Sequence, residues 1–340
     1  MAEKLKNLGY RMPAEWEKHE STWLVWPKDP DTFPKGIMEP VEKAYIKIIS
    51  ALAKGEKINL LVDDKETEDK VLSMLPNQKN IFLHRIKSAD VWVRDYGPIF
   101  VKKNNEIAAT KWVFNSWGNK YKELLADNET GMRISEFTKK NIFEPGIILE
   151  GGSIETNGFG TCIATEQCLL NKNRNPNLGK EEIEEYLKAC LGFEKTIWLK
   201  KGIEGDDTDG HVDDIARFVD KDTVVCMVEE DKDDGNYKNL EENLDILKKA
   251  RGQDGKKINV IPIQMPRKIE IPERRLVASY ANFYIGNSAV LVPAFNDEND
   301  EKAISIIERF FPGKETIGIN CRELVYGNGG IHCITQQQPQ

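Results

Sequence analysis

Residues 215–228 read IARFVDKDTVVCMV, two apolar runs separated by the polar turn Asp220-Lys221-Asp222. Such a pattern is typical of a β-hairpin. Three leucines at helical spacing follow within residues 240–250, and residues 258–263 form a further short apolar run. This part of the chain therefore predicts two strands, a helix and a third strand, in that order.

The same order of elements recurs along the chain. A second copy covers residues 278–319, with its first strand over 278–284, a third covers 157–199, and a fourth begins at 98–110. The N-terminal part supplies a fifth, less regular unit over residues 23–62. One such unit cannot bury both faces of its sheet and helix, whereas several units arranged about an axis can. The repeats favour one closed α/β domain, and generic α/β elements that resemble one another by chance are the alternative.

The composition is that of a globular protein and limits the classes of function. The chain has 340 residues, of which 40% are hydrophobic and 31% are charged, enough for one large domain or two ordinary ones. The net charge of −8, with 56 acidic and 48 basic residues, disfavours nucleic-acid binding. No apolar run approaches the roughly twenty residues of a membrane span. The charged start from Met1 to Tyr10 lacks the apolar stretch of a secretion signal, so we expect a cytoplasmic protein.

The cysteines and histidines form no metal or disulfide pattern. The six cysteines include no Cys-x-x-Cys pair, which disfavours zinc ribbons and disulfide scaffolds. The four histidines are widely separated, and one of them, His332, precedes Cys333 directly. We therefore predict a site without a metal.

Five polar clusters lie at or near the boundaries between the units. They occupy residues 90–98, 150–153, 206–213, 320–322 and 327–333. In a pseudosymmetric ring, equivalent boundaries lie at the same end of the axis, so we expect side chains from several clusters to share one pocket. That pocket would combine a cysteine, a histidine and several carboxylates. Carboxylates around a thiol are reasonable where the ligand is a cation, because a planar guanidinium offers donors that carboxylates bind in pairs.

Each candidate residue also has a purely structural interpretation. Cys333 is either an activated nucleophile or a small buried residue, and the glycines before it favour the nucleophile because they allow a ligand to approach the backbone. His211 and Asp213 have the His-x-Asp spacing of half a metal site, but the other ligands are missing. Asp95 is either functional or half of an ion pair with its neighbour Arg94.

The remaining candidates are weighed by their position along the chain. Glu150 ends an apolar strand, and the ends of strands often carry function. Asp206, Asp207 and Asp209 are more typical of turns and caps than of ligands. In an extended strand, His332 would point to the face opposite Cys333, which argues against its being the catalytic base.

At this point the clusters together resemble the agmatine deiminases and the closely related bacterial peptidylarginine-deiminase-like proteins of the guanidino-group-modifying superfamily. The resemblance covers nearly the whole chain, and the order of its motifs makes it specific. The motifs are Met12-Pro13-Ala14-Glu15-Trp16-Glu17, Trp23-Leu24-Val25-Trp26-Pro27, Trp92-Val93-Arg94-Asp95-Tyr96-Gly97-Pro98, Phe114-Asn115-Ser116-Trp117-Gly118, Leu149-Glu150-Gly151-Gly152-Ser153-Ile154, Thr208-Asp209-Gly210-His211-Val212-Asp213 and Ile331-His332-Cys333-Ile334-Thr335-Gln336-Gln337.

The resemblance implies a fold and a set of roles. The fold is a five-bladed α/β propeller with pseudo-fivefold symmetry, the pentein fold, built from ββαβ repeats as a single catalytic domain over residues 1–340. Cys333 is the implied nucleophile, which forms a covalent amidino-thioether, and His211 is the general acid and base. Asp95 and Asp213 hold the guanidinium, while Glu150 supports His211 or a substrate nitrogen. No metal or organic cofactor is implied.

The implied reaction is the hydrolysis of agmatine to N-carbamoylputrescine and ammonia. A deiminase of peptidyl or free arginine is the first alternative, and a non-catalytic guanidine- or polyamine-binding protein is the second. Trp92 and Asp207 are our candidates for binding the amine end of the substrate. The resemblance also implies a homo-oligomer, either a dimer or a tetramer, with neither nucleic acid nor membrane as a partner.

Three departures from the pattern bear on the substrate. Tyr96 stands where agmatine deiminases often have threonine, Glu155 stands where histidine is common, and Gly327-Asn328-Gly329-Gly330 permutes the usual glycine-rich run. None of them alters Cys333 or His211, so the departures leave the predicted chemistry in place and bear on specificity.

Overall fold

The computed structural model describes residues 9–340, and the expectation for Met1 to Leu8 lies outside the described residues. The strands, in chain order, are β1 His19–Val25, β2 Lys57–Val62, β3 Ile81–Arg85, β4 Ile99–Lys103, β5 Glu106–Thr110, β6 Asn141–Phe143, β7 Ile154–Thr156, β8 Thr161–Thr165, β9 Lys195–Leu199, β10 Ala216–Phe218, β11 Thr223–Val228, β12 Asn259–Gln264, β13 Glu270–Ile271, β14 Arg274–Arg275, β15 Tyr284–Ile285, β16 Ala289–Ala294, β17 Glu315–Asn320 and β18 Gln336–Pro339. The helices are α1 Met38–Leu52, α2 Lys65–Met74, α3 Val93–Tyr96, α4 Asp127–Phe137, α5 Glu166–Leu169, α6 Lys180–Leu191, α7 Tyr237–Lys249 and α8 Asp300–Glu308. Short 3₁₀ turns occupy Lys122–Ala126, Gly151–Ser153, Val212–Asp214 and Leu324–Gly327.

Four three-stranded sheets share one topology. In the orders β4-β5-β6, β7-β8-β9, β10-β11-β12 and β15-β16-β17, the first pair is antiparallel and the second pair is parallel. In each sheet, a helix connects the second strand to the third, which is parallel to it. These helices are α4, α6, α7 and α8, in the order of the sheets given above. The two strands, helix and third strand predicted from residues 215–263 are confirmed, and the fold class is α/β.

The fifth sheet joins the two ends of the described chain. Its order is β18-β1-β2-β3, with β18 antiparallel to β1 and the remaining pairs parallel. The register pairs Trp23 with Gln336 and Thr22 with Gln337. The N-terminal unit therefore has the same topology as the others, because the C-terminal strand β18 supplies its first strand. Neither β18 nor β3 was predicted.

Two predicted strands are wrong over most of their length. The apolar run that precedes Glu150 makes one isolated bridge, between Ile148 and Val113, and forms no strand. We expected an extended strand over residues 278–284, but only Tyr284–Ile285 forms one. In the preceding residues, the Ser279 hydroxyl donates to the carbonyl of Asp214 at 2.8 Å, and the Asn282 amide donates to the Asp214 carboxylate at 3.0 Å. These side-chain bonds tie the segment to a neighbouring unit in place of a ladder of backbone bonds.

The core is formed by the apolar faces of the sheets and of the helices packed against them. In α7, for example, Leu240 and Leu247 are completely buried, as their helical spacing predicts. Within residues 9–340, no helix combines the length and the apolar sequence that a membrane crossing requires.

Two glycines allow the backbone of the one-turn helix α3 to pack closely against neighbouring segments. A Cβ atom on Gly131 of α4 would lie 1.9 Å from the carbonyl oxygen of Tyr96, and one on Gly151 would lie 2.2 Å from the carbonyl oxygen of Arg94. The backbone of α3 therefore touches both glycines directly, which leaves no space for a side chain at either position. This close packing fixes Asp95, which α3 carries.

The substitution Gly131→Ala tests the close contact between α4 and α3. Helix propensity alone predicts a gain in stability, whereas the contact with Tyr96 predicts a loss of about 1–3 kcal/mol in the free energy of unfolding, as is usual for overpacking. Urea denaturation measures the difference. Glu129→Ala, on the exposed side of the same helix, is the matched control and should leave the denaturation midpoint unchanged. A gain in stability for Gly131→Ala would contradict the proposed packing.

Candidate active site

The structure brings the five predicted catalytic residues together from four separate parts of the chain. Asp95 comes from α3, Glu150 precedes the 3₁₀ turn Gly151–Ser153, His211 and Asp213 lie at the turn before β10, and Cys333 lies just before β18. All five are buried.

Gly152 lies where three of the polar groups meet. A Cβ atom on Gly152 would be 2.6 Å from Nδ1 of His211, 2.9 Å from Oδ1 of Asp95 and 3.0 Å from Oδ2 of Asp213. Glycine is thus required at this position by the functional groups around it.

Asp95 is held by two donors. Its Oδ1 accepts a hydrogen bond from the backbone N–H of Gly152 at 3.0 Å, and its Oδ2 accepts one from Nε1 of Trp117 at 2.9 Å. Burial raises the pKa of Asp95 to about 6, and the nearby Asp213 carboxylate adds to the rise while His211 opposes it. The alternative of an Asp95–Arg94 ion pair is not observed, because the Arg94 guanidinium instead donates to the side-chain oxygens of Gln336 and Gln337.

Asp213 offers one free oxygen. Its Oδ2 lies 2.7 Å from Nδ1 of His332, while its buried Oδ1 has no hydrogen-bond partner among residues 9–340. Burial alone would raise the pKa of Asp213, but His332, His211 and Arg217 lower it below the ordinary value. An ionised carboxylate oxygen without a partner is suited to accept a bond from a cationic ligand.

His211 is oriented with Nδ1 toward the carboxylates, 3.7 Å from Oδ1 of Asp95. Burial alone would lower its pKa, but Asp95, Cys168 and Asp213 raise it well above the ordinary value, which favours the imidazolium. The turn is fixed by Asp206, whose Oδ2 accepts from the backbone N–H of His211 at 3.0 Å. Asp206 is therefore a turn-forming residue, as its sequence context suggested.

Glu150 pairs with a buried arginine that the sequence did not single out. Nε of Arg174 donates to Oε1 of Glu150 at 2.6 Å, and both side chains are completely buried. Arg174 also donates to Asp209 at 2.8 Å, which links Glu150 to the turn before His211.

Glu150, Cys168 and His211 are the residues here that could hold a metal. A carboxylate oxygen, the sulfur and a ring nitrogen lie within 4.8 Å of one another, and these are ligand types that Zn²⁺ accepts. The Arg174 guanidinium is bonded to the same carboxylate and opposes a second positive charge there. A site without a metal stays a prediction.

Cys333 has an amide partner and acidic neighbours. Its sulfur lies 3.1 Å from Nδ2 of Asn282 and 3.9 Å from Oδ2 of Asp213. Burial, reinforced by the charges of Asp213, Asp214 and Asp95, raises the pKa of Cys333 well above the ordinary value for a thiol. This direction favours the protonated thiol at neutral pH. Sequence reasoning missed Asn282, since it lies in one of the wrongly predicted strands.

A cleft with a cavity volume of about 190 Å³ leads to this group. Of the five predicted catalytic residues, Asp95 and Cys333 line it. His211 lies 3.7 Å from Asp95 and Asp213 lies 3.9 Å from the sulfur of Cys333, so both adjoin the lining, while Glu150 is buried and is not part of it. Most of the remaining lining is acidic or aromatic, namely Asp29, Asp31, Asp90, Glu123, Asp207, Trp92, Trp117, Tyr121 and Tyr326. Among residues 9–340, Arg274 is the single basic residue that lines the cleft, and Thr32, Leu124, Thr208, Gly327 and Asn328 complete it.

Trp92 and Asp207 both line the cleft. Trp92 donates from Nε1 to Oδ2 of Asp90 at 2.8 Å, and a Cβ atom on Gly329 would lie 2.3 Å from its ring. Asp207 accepts from Nδ2 of Asn328 at 2.8 Å and from the hydroxyl of Tyr121. The glycine-rich run before Cys333 thus serves partly to accommodate Trp92.

Two of the departures from the pattern lie outside the cleft. The Tyr96 hydroxyl donates to the backbone carbonyl of Asp90 at 3.0 Å, and the Glu155 carboxylate accepts from Nε of Arg217 at 2.7 Å. Neither side chain lines the cleft, so each affects the site only through the residues to which it is bonded.

Comparison with known proteins identifies the family of the chain. A family model described as Porphyromonas-type peptidyl-arginine deiminase matches residues 11–339. The chain belongs to this family. The suspected resemblance is thereby confirmed, and the match spans every residue of the candidate site.

Relatives of the family member described here carry the name agmatine deiminase. The chain is 37% identical over 365 residues to the agmatine deiminase of Medicago truncatula, covering 97% of this chain and 96% of the relative. The structure titled agmatine deiminase of Enterococcus faecalis catalyzing its reaction matches with a TM-score of 0.90 at 34% identity, covering 98% of this chain and 97% of that one. A C. jejuni agmatine deiminase with substrate bound matches with a TM-score of 0.88 at 32% identity, covering 97% and 96%.

The raised pKa of Cys333 predicts how the thiol reacts. Iodoacetamide should label Cys333 slowly at neutral pH, and the rate should rise about tenfold for each pH unit below the thiol pKa, because only the thiolate reacts. Asp95→Asn should speed labelling at a fixed pH by removing a carboxylate that raises the pKa. Mass spectrometry of the labelled peptide measures the rate.

Asp29→Asn, at the mouth of the same cleft, is the matched control and should leave the rate unchanged. A labelling rate independent of pH, or faster labelling of the buried Cys162 than of Cys333, would contradict this description of the thiol.

Proposed function

We propose that the protein is an agmatine deiminase, which hydrolyses agmatine to N-carbamoylputrescine and ammonia. The convergence of Asp95, His211 and Asp213 around Gly152, beside the Cys333 thiol at the end of an acidic cleft, carries the proposal. The names of the M. truncatula, E. faecalis and C. jejuni relatives support the choice of substrate.

Asp95 and Asp213 are the residues that hold the guanidinium. Asp213 offers its unpartnered Oδ1, and Asp95 is oriented by Trp117 and by the backbone of Gly152. Two carboxylates suit a planar cation with several N–H donors, and they place its central carbon opposite the sulfur of Cys333.

The cation also activates the nucleophile. In the free protein, Asp95, Asp213 and Asp214 raise the pKa of Cys333. A bound guanidinium offsets those charges, so the thiol loses its proton when the substrate is present. The reactive thiolate is thereby formed where it has an electrophile to attack.

The reaction then proceeds in two halves. The Cys333 sulfur bonds to the guanidinium carbon, and Nδ1 of His211 protonates the departing nitrogen, which leaves as ammonia. The resulting amidino-thioether is attacked by water, from which His211 removes a proton. The carbon–sulfur bond breaks, and the product carries a urea oxygen. Glu150 and Arg174 position the turn of His211 from behind.

The amine end of agmatine would lie further out along the cleft. Trp92 provides an apolar wall for the methylene chain, and Asp207 provides a carboxylate for the ammonium group. Asp90 is a further acidic group at this level, and burial raises its pKa to about 6, so it is mostly ionised at neutral pH.

One observation favours arginine as the rival substrate. Arg274 lines the cleft, and its Nη1 atom has no hydrogen-bond partner among the described residues, so it could donate to a substrate carboxylate. The description of the family also names peptidyl-arginine. The carboxylates around Arg274 outnumber it, which supports a substrate without a carboxylate.

We further propose that the five larger sheets, without the two-stranded sheet β13-β14, form a five-bladed α/β propeller of the pentein type, as one catalytic domain over residues 1–340. The shared topology supports this, as do the contacts of β18 with β4 and of β7 with β10, which join neighbouring units. The homo-oligomer and the cytoplasmic location stay predictions.

Ammonia release with agmatine, free arginine and a blocked arginine peptide separates the substrates. We expect kcat/KM for agmatine to exceed that for either arginine substrate by more than about a hundredfold, because a carboxylate or a peptide would meet the acidic lining. Turnover of arginine with none of agmatine would overturn the proposed substrate. No turnover of any of the three, with agmatine binding retained, would favour the non-catalytic alternative.

Cys333→Ser tests the nucleophile. The variant should release no ammonia and should resist labelling by a haloacetamidine, because serine is not ionised by the same environment. Cys162→Ser, at another buried cysteine away from the cleft, is the matched control and should retain turnover. His211→Ala should likewise lose turnover. Full activity in either site variant would remove that residue from the mechanism.

A further inference from the structure

His332 occupies an unusual position behind the candidate site. Its Nδ1 lies 2.7 Å from Oδ2 of Asp213, and its Nε2 lies 2.9 Å from Oε2 of Glu15. The three side chains are at most 5% exposed. One imidazole therefore joins a proposed substrate-binding carboxylate to a carboxylate of the N-terminal segment.

The backbone of His332 is held by two neighbouring side chains. The backbone N–H of His332 donates to Oδ1 of Asn282 at 2.8 Å, and its carbonyl accepts from Nε of Arg94 at 3.2 Å. Asn282 and Arg94 thus fix the residue from two sides.

Two hydrogen bonds to two carboxylates require a proton on each ring nitrogen. A neutral imidazole has one N–H and one acceptor nitrogen, so it can donate to only one carboxylate. The second bond would then need a proton on Glu15 or Asp213. Burial raises the pKa of both carboxyl groups, but charges other than His332 oppose it: Arg217 and Arg94 lower the pKa of Glu15, and His211 and Arg217 lower that of Asp213, which favours the ionised form of both.

The buried charges around the ring also favour a positive charge on His332. Arg217 lies 2.8 Å from Glu15 and 2.7 Å from Glu155, and Arg94 lies 3.4 Å from Glu15. Around the ring there are three carboxylates and two guanidiniums, and a third positive charge would balance them; they are Glu15, Glu155, Asp213, Arg94 and Arg217. His211 is counted with Asp95, whose Oδ1 lies 3.7 Å from its Nδ1. Because unpaired buried charge is costly, a charged His332 completes the group.

We propose that His332 is a charged positioning residue, an imidazolium that bridges Glu15 and Asp213 and keeps Asp213 ionised with its Oδ1 directed to the substrate. This inference rests on the proposed function, because it assigns the bridge to guanidinium binding. His332 is separate from the proposed base, since it occupies the Asp213 oxygen that the substrate does not need.

The protonation of the ring can be measured without any substrate. The full chain contains four histidines, so ¹⁵N-histidine NMR spectra are simple, and the His332→Gln variant assigns the His332 signals by their loss. We expect both ring nitrogens of His332 to carry protons in the folded wild-type protein, and Glu15→Gln to shift the Nε2 signal, because that nitrogen loses its carboxylate partner. A neutral ring in the folded wild-type protein would overturn the proposal.

Kinetics test what the bridge does. In His332→Gln, loss of a charged hydrogen bond to Asp213 should raise KM for agmatine about tenfold to a hundredfold, with a smaller fall in kcat. His84→Gln is the matched control: His84 is half-buried, bonds Asn59 at 2.9 Å, and lies in β3 away from the cleft, so both constants should stay unchanged. Circular dichroism confirms that the compared variants are folded.

The two proposals fail in different ways. A wild-type protein that does not turn over agmatine contradicts the proposed function, whatever the NMR result. Wild-type turnover together with a KM in folded His332→Gln within threefold of the wild-type value contradicts the bridge alone.

Discussion

The antiparallel pairing of β18 with β1 is the contact on which the candidate site depends. It completes the N-terminal sheet and carries Cys333, three residues before β18, to the edge of α3. The backbone N–H of Arg94 donates to the carbonyl of Cys333 at 3.2 Å, and the Arg94 guanidinium binds Gln336 and Gln337 of the same segment. The nucleophile and the neighbouring Asp95 are therefore held in register by one strand pair and one arginine.

The buried charges behind the candidate site form ion pairs, whereas the carboxylates that line the cleft outnumber its basic groups. Behind the site, Arg174 meets Glu150, and Arg217 meets Glu15 and Glu155. Within the cleft, carboxylates outnumber the single Arg274. The overall charge of −8 contributes little to recognition, because exposed charges are screened by salt. The local excess beside Cys333 is what makes the site specific for a cation.

Much of the fold could be predicted because each unit repeats a strong local pattern. The apolar runs of β10 and β11 and the leucines of α7 gave correct elements. The missed strand β18 consists of glutamines and a proline, which have no strand propensity and pair only because β1 lies beside them. The segment before β15 failed for the opposite reason, since its apolar residues suggested a strand while Asn282 bonds Asp214. The spacing of apolar residues indicates which secondary structure a segment prefers locally. It does not indicate which distant segment that residue or strand will contact.

The same distinction applies to the site. Cys333, His211, Asp95, Asp213 and Glu150 could be predicted from motifs. Arg174 and Asn282 have no motif of their own, and their contacts arise only after folding. His332 was set aside because a neighbour of Cys333 in an extended strand would face away from it. It does lie away from the cleft, but it reaches Asp213 from behind.

The sheet that contains both β1 and β18 also bears on how the protein is made. In one cross-strand contact of that sheet, Nε1 of Trp23 donates to Oε1 of Gln338, and these residues are separated by 315 positions in the chain. During synthesis, β1 leaves the ribosome long before its antiparallel partner exists. A growing chain can therefore complete four units and still lack the thiol beside its carboxylates. Activity would therefore arise only when β18 pairs with β1, and a chain that still lacks β18 would be inactive.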